Sequence, residues 1–193
     1  MKKRTAFIGA ILSLIPLGNP LILKTSLVLS LTGLMLSVPE KINAETFEYY
    51  FKLAYEKGQK GDYYGAISDY TKAIEIDPKQ KNDYLNRGIL KGKLKDYYGA
   101  ISDYNKALEV NPKDASAYYN RGIIKDKIKD YYGAISDYTK AIEIDPNKSN
   151  AFINRSIVKE TIGDIEGACL DAKKSVSLGD TASDNQTWIK KNC

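Results

Sequence analysis

The stretch DYYGAISDYTKAIEIDP, residues 62–78, decides the reading of this chain. It returns at residues 96–112 as DYYGAISDYNKALEVNP, with four substitutions, and again at residues 130–146 without change. The step from Asp62 to Asp96 equals that from Asp96 to Asp130. Inside the stretch, Ala66, Ile67, Tyr70, Ala73 and Ile74 fall at steps of one and three, which gathers them on one side of a helix and requires that side to be covered. Asp62 at its head offers a carboxylate to the free amides of a first turn. Asp77-Pro78 ends it, because proline disfavours the helical conformation in its predecessor and has no N–H to carry the ladder on. A repeat of this length, holding two helix-sized segments, belongs to an array whose apolar faces are buried between neighbouring units.

Working outward, the first unit spans 47–80, with a first helix over about 47–60, a turn at Gly61 and the second helix behind Asp62. Units at 81–114 and 115–148 repeat it, with Asp96, Ala100, Tyr104, Ala107 and Pro112, then Asp130, Ala134, Tyr138, Ala141 and Pro146, in the same places. A fourth, 149–180, keeps Gly163, Asp164 and Ala168 and then departs: Ala172 replaces the tyrosine, Ser175 the alanine and Asp180 the proline. A degenerate last unit suits an array end, whose outer face has no neighbour. Trp188 and Ile189, within 181–193, supply a capping helix there.

With four units in register over residues 47 to 180, the chain resembles the tetratricopeptide-repeat proteins. Small residues stand where that family brings helices close, at Ala54, Gly88, Gly122 and Ser156 in the first helices and Ala66, Ala100, Ala134 and Ala168 in the second. The large aromatic expected early in each first helix is Tyr50, Tyr84, Tyr118 and Phe152. The resemblance implies an all-α fold: a right-handed solenoid of about four helix pairs plus a C-terminal capping helix, preceded here by an apolar leader. Two departures stand out. Lys57, Lys91, Lys125 and Lys159 occupy places where the family often has tyrosine, and Arg87, Arg121 and Arg155 places where it usually has leucine. Each unit also carries an aspartate in its second helix, Asp69, Asp103, Asp137 or Asp171. The arginine stems are expected to pack on aliphatic surface while the guanidinium meets an aspartate within the unit or across the junction; the competing expectation is that the arginines reach a ligand.

By resemblance, the first helices line a concave face that binds partners. On it fall Asn86, Asn120 and Asn154, one per unit, with Lys52 at the equivalent place in the first. An amide offers a donor and an acceptor, so such a row is suited to gripping the backbone of an extended peptide. It is similar to the asparagine ladder of some family members. Phe51, Leu85, Tyr119 and Ile153, one step before each polar position, are expected to add apolar contact. The lysine and asparagine set with which other members hold a chain-terminal carboxylate is not matched, since Phe51, Tyr55 and Ser116 stand in its places.

The chain opens Met1-Lys2-Lys3-Arg4 and is almost wholly apolar from Ala6 to Val38. Pro16, Gly18, Pro20 and Lys24 interrupt the run, so neither part reaches the roughly 20 apolar residues of a membrane span. Residues 1–44 read as a signal peptide cleaved after Ala44, or as a retained membrane anchor, with the repeats exported and the basic end left on the cytoplasmic side. In an exported protein Cys169 and Cys193 would form a disulfide pinning the cap onto the array. There is no histidine, and two cysteines alone do not build a zinc site, so no metal or other cofactor is expected. The 29 lysines and arginines are scattered among 24 carboxylates, which is a solvated surface rather than a nucleic-acid face. Carboxylates that recur with the repeat have equal environments, whereas catalytic pairs need unequal ones. The expected function is a non-catalytic scaffold that binds a peptide or protein partner in its groove; the rival is a self-assembling structural component of an envelope or membrane complex.

Overall fold

A computed structural model describes residues 40–180 and 183–193, so the apolar run of the expected leader lies outside the described residues. Four aspartates start the second helices. Asp62, Asp96, Asp130 and Asp164 accept hydrogen bonds from the amides of Gly65, Gly99, Gly133 and Gly167 at 2.9 to 3.1 Å. These open α2 (Tyr63–Ile76), α4 (Tyr97–Val110), α6 (Tyr131–Ile144) and α8 (Ile165–Ser177). A side chain at the bonded position would push the capping carboxylate aside: a Cβ on Gly99 would lie 2.1 Å from Asp96 Oδ2. The first helices are α1 (Glu40–Gln59), α3 (Lys81–Lys93), α5 (Ala115–Lys127) and α7 (Ser149–Thr161), and the cap is α9 (Ser183–Asn192). Every described element is a helix, and none of them is long and apolar enough to cross a membrane. Helix α1 begins seven residues before the expected Phe47, directly after Pro39 in the sequence, because Glu40–Thr46 contains no proline or glycine to stop it. The expected boundary at Ala44 therefore falls inside a helix.

Each unit packs its two helices together and then stacks on the next through the preceding second helix. Tyr70, Tyr104 and Tyr138 are the centres of this stacking. Each lies against its own unit's small residue, and a Cβ on Gly88 or Gly122 would stand 2.7 or 2.8 Å from the tyrosine ring. Each also shares a core cluster with a residue of the following unit: Tyr70 with Leu90, Tyr104 with Ile124, Tyr138 with Val158. The most faithfully repeated phrase is thus the half of the unit that carries the junctions. Successive first helices also touch directly, α3 with α5 and α5 with α7, whereas successive second helices stay further apart. The stack curves with the first helices inside.

The arginines hold the junctions. Arg87, Arg121 and Arg155 each grip their own unit's aspartate with two nitrogens, Asp103, Asp137 and Asp171 respectively, at 2.6 to 2.9 Å. The third guanidinium nitrogen donates back to the preceding second helix, to Thr71, Asn105 or Thr139, at 2.6 to 2.9 Å. Lys91, Lys125 and Lys159 complete the contacts of the same aspartates at 2.8 to 2.9 Å. The guanidinium carbons stand 5.3 to 5.9 Å from the rings of Tyr84, Tyr118 and Phe152. In the first unit, where Leu53 replaces the arginine, Lys57 alone of the first helix reaches Asp69, at 2.6 Å. Both unusual positions therefore serve the fold, and the guanidinium works within the unit and across the junction at once.

Candidate partner-binding groove

Along the inner side, the stack leaves three recesses built to one plan. Each is bounded by the end of one unit's first helix, that unit's buried tyrosine and the middle of the next first helix. The first, of about 290 Å³, is lined by Tyr55, Gln59, Tyr70, Asn86, Ile89 and Lys93 among others. The second, about 350 Å³, repeats it one unit on with Ile89, Lys93, Tyr104, Asn120, Ile123 and Lys127. The third, about 100 Å³, has Ile123, Lys127, Tyr138, Asn154 and Ile157, and also Asp126. Helical steps explain the lining: Asn86, Ile89 and Lys93 are spaced three and four apart and so share a helix face, as do Asn120, Ile123 and Lys127.

The three asparagines reach equivalent places, but their engagements differ. Asn86 stands beside the Tyr70 hydroxyl with its amide N–H toward the oxygen. Asn154 donates to the Tyr119 hydroxyl at 3.2 Å and also meets Tyr138. Asn120 makes no side-chain hydrogen bond among the described residues and faces the largest recess. Burial drives the tyrosine hydroxyls upward, Tyr70 to about 12 and Tyr104 and Tyr138 further, so all three stay protonated and uncharged. Lys52 is exposed. The apolar neighbours are turned toward the core: Phe51, Leu85 and Tyr119 pack against the core clusters, Phe51 with its ring 6.0 Å from that of Tyr70. Ile153 is half-buried. The apolar surface that faces the recesses instead comes from Ile89, Ile123 and Ile157, three residues after each asparagine. That repeated step was available in the sequence, while the tyrosine hydroxyls and the two groove lysines needed the stacking to place them.

At the far end, Cys169 of α8 is bonded to Cys193, with Cα atoms 5.7 Å apart. Trp188 of α9 donates its indole N–H to Glu160 of α7 at 2.7 Å. The cap is thus fastened to both helices of the last unit.

Comparison with known proteins agrees with this architecture. Models described as tetratricopeptide repeat match residues 47–80 and 115–148, and one described as TPR repeat matches 92–125, in a phase shifted by about a third of a unit. Among solved structures, a MamA protein is 26% identical, with 70% of this chain and 74% of that chain covered and a TM-score of 0.67. The first TPR of Spaghetti (RPAP3), bound to the HSP90 peptide SRMEEVD, is 25% identical, covering 61% of this chain and 94% of that one at a TM-score of 0.60. MamA from Desulfovibrio magneticus RS-1, at 18% identity, 75% and 82% coverage and a TM-score of 0.70, shares the fold. No curated protein sequence matches the chain.

Proposed function

The chain belongs to the tetratricopeptide-repeat family, and from that premise we propose that it is a non-catalytic scaffold which holds an extended segment of a partner protein in the groove of α1, α3, α5 and α7. The observation that carries this reading is the threefold recess, with an asparagine at the same place in each and a free amide at Asn120 in the largest. Amides at one-repeat intervals bond a peptide backbone, and the recesses between them take side chains. A neighbour of like fold binding a short peptide supports the same use of the face. Residues 1–44 carry the repeats across a membrane or tether them to it, and the Cys169–Cys193 bond suits an oxidising compartment. A mature protein whose mass begins at Glu45 is the expected product; a full-length mass in the exported fraction overturns cleavage.

The test of the groove is affinity capture with the full chain, repeated with Asn86→Ala, Asn120→Ala and Asn154→Ala combined. A hydrogen bond to an uncharged group contributes about 1 kcal/mol, so the triple variant should bind its partner on the order of a hundredfold more weakly. A partner held equally by both chains overturns the proposal. Light scattering separates the rival: a mass that rises with concentration would place a second copy of this chain in the groove or at an array end.

A further inference from the structure

Resting on the peptide-scaffold reading, we propose that the segment this groove takes is acidic and lies in a left-handed polyproline conformation, with an apolar side chain every third residue and Asp or Glu between them.

Spacing gives the conformation. The recesses recur once per unit; the second and third lie between first helices that touch, α3 with α5 and α5 with α7, and packed helices lie about 8–10 Å apart. A polyproline helix rises about 3.1 Å per residue with three residues per turn, so residues i and i+3 share a side about 9 Å apart. A β-strand returns to one side every second residue, after about 6.6 Å, and falls out of step with the recesses. The polyproline backbone also makes no hydrogen bonds of its own, which leaves its amides and carbonyls for Asn86 and Asn120. At about 290 and 350 Å³, the first two recesses exceed the roughly 150 Å³ that holds a benzene ring, so each accepts a large apolar side chain. The third, about 100 Å³, accepts only a small one.

Charge gives the composition. Lys93 lines the first and second recesses, Lys127 the second and third, and Lys95 the rim of the second. None of the three forms an ion pair among the described residues, whereas Lys91 and Lys125, two positions earlier in the same helices, are held by Asp103 and Asp137. Lys93 meets only the face of Tyr63, at 5.0 Å. The single carboxylate in these linings, Asp126, belongs to the smallest recess. Lys95 and, one unit on, Lys129 both have a φ of 64°, where the first and fourth units use Gly61 and Gly163; of the two, Lys95 lines a recess. A side chain in that conformation weakens the turn, yet here it puts an ammonium at the groove's edge. A row of unpaired cations between apolar recesses meets carboxylates placed between apolar anchors.

A library of random dodecapeptides panned on the full chain tests this, with the combined Asn86→Ala, Asn120→Ala and Asn154→Ala variant and a combined Lys93→Glu and Lys127→Glu variant panned alongside. Expected are sequences rich in Asp and Glu with apolar residues three apart. Their affinity should fall at least tenfold for the charge-reversed chain, and also when salt is raised from 50 to 500 mM. Lys93→Ala with Lys127→Ala, unfolding at the wild-type temperature, should lose affinity in the same direction. Peptides that are neutral, basic or spaced by two, but still depend on the asparagines, overturn this inference and leave the scaffold reading standing. Enrichment of nothing, or of peptides indifferent to the asparagines, overturns both.

Discussion

Asp83 is where the repeat breaks its own rule. It occupies the place that Ala117 and Ala151 hold in later units, it is as fully buried as they are, and neither carboxylate oxygen has a hydrogen-bond partner among the described residues. Burial first, then the charge of Asp77 and to a lesser degree Glu48, push its pKa up to about 7 against the pull of Arg87. An unfolded aspartate titrates near 3.9. Because the folded value is the higher one, the folded chain holds the proton more tightly, and stability falls as pH rises from about 4 to 7, by at most about 1.4 kcal/mol per unit, then levels off. Urea melts at pH 5 and pH 8 should show this loss. Asp83→Ala should flatten it and stabilise the chain at pH 8 by about 1–3 kcal/mol, since it removes a buried polar group without a partner. Equal pH dependence in both chains would contradict the account. Arg121 is the opposite kind of residue, with every nitrogen that faces the protein engaged. Arg121→Ala leaves Asp137 buried beside Lys125 alone and should cost about 2–4 kcal/mol; pairing it with Asp137→Ala should recover part of that loss. A melting temperature unchanged by the single substitution would return the arginine to a ligand role.

At the scale of the helix, stacking rests on pairs of large and small residues. Gly122→Leu should overpack against Tyr138 and cost about 1–3 kcal/mol, read from the melting curve. The fourth unit departs from this pairing: Ala172 replaces the tyrosine, and Ser156 donates its hydroxyl to the Ala168 carbonyl at 2.9 Å. The caps at Asp62, Asp96, Asp130 and Asp164 and the crossing glycines were legible in the sequence because they recur once per unit and follow helical steps, and α9 supplies the expected cap within the last segment. What the pattern could not give was the third dimension of the junction. Arg87, Arg121 and Arg155 each bond two units at once, which no single-helix periodicity reveals. The start of α1 was misplaced because repeat identity ends at Phe47 while helix propensity continues back to Glu40. Reduction of Cys169–Cys193, which closes a 24-residue separation, should lower stability by about 2–4 kcal/mol and expose α9 to protease before the repeats. Equal protease resistance with and without reductant would show that Trp188 and its neighbours hold the cap unaided.

Over the whole molecule the division of labour runs along the repeat. The second helices, which carry the recurring phrase, are spent on junctions, while the first helices turn Asn86, Ile89 and Lys93, and then Asn120, Ile123 and Lys127, into the recesses of the inner side. The first turns of the second helices carry their own regular feature, Tyr64, Tyr98 and Tyr132, each 77% exposed and absent from the recess linings. The recesses and these exposed tyrosines therefore make competing predictions about where a partner lies. Photo-cross-linking decides between them most directly: p-benzoylphenylalanine is placed singly at Ile89, Ile123, Tyr98 and Tyr132 of the full chain, which is then exposed to a whole-cell extract and irradiated. The groove account predicts one partner adduct, the same from Ile89 and Ile123 and none from Tyr98 or Tyr132; adducts from the tyrosine positions alone would contradict it.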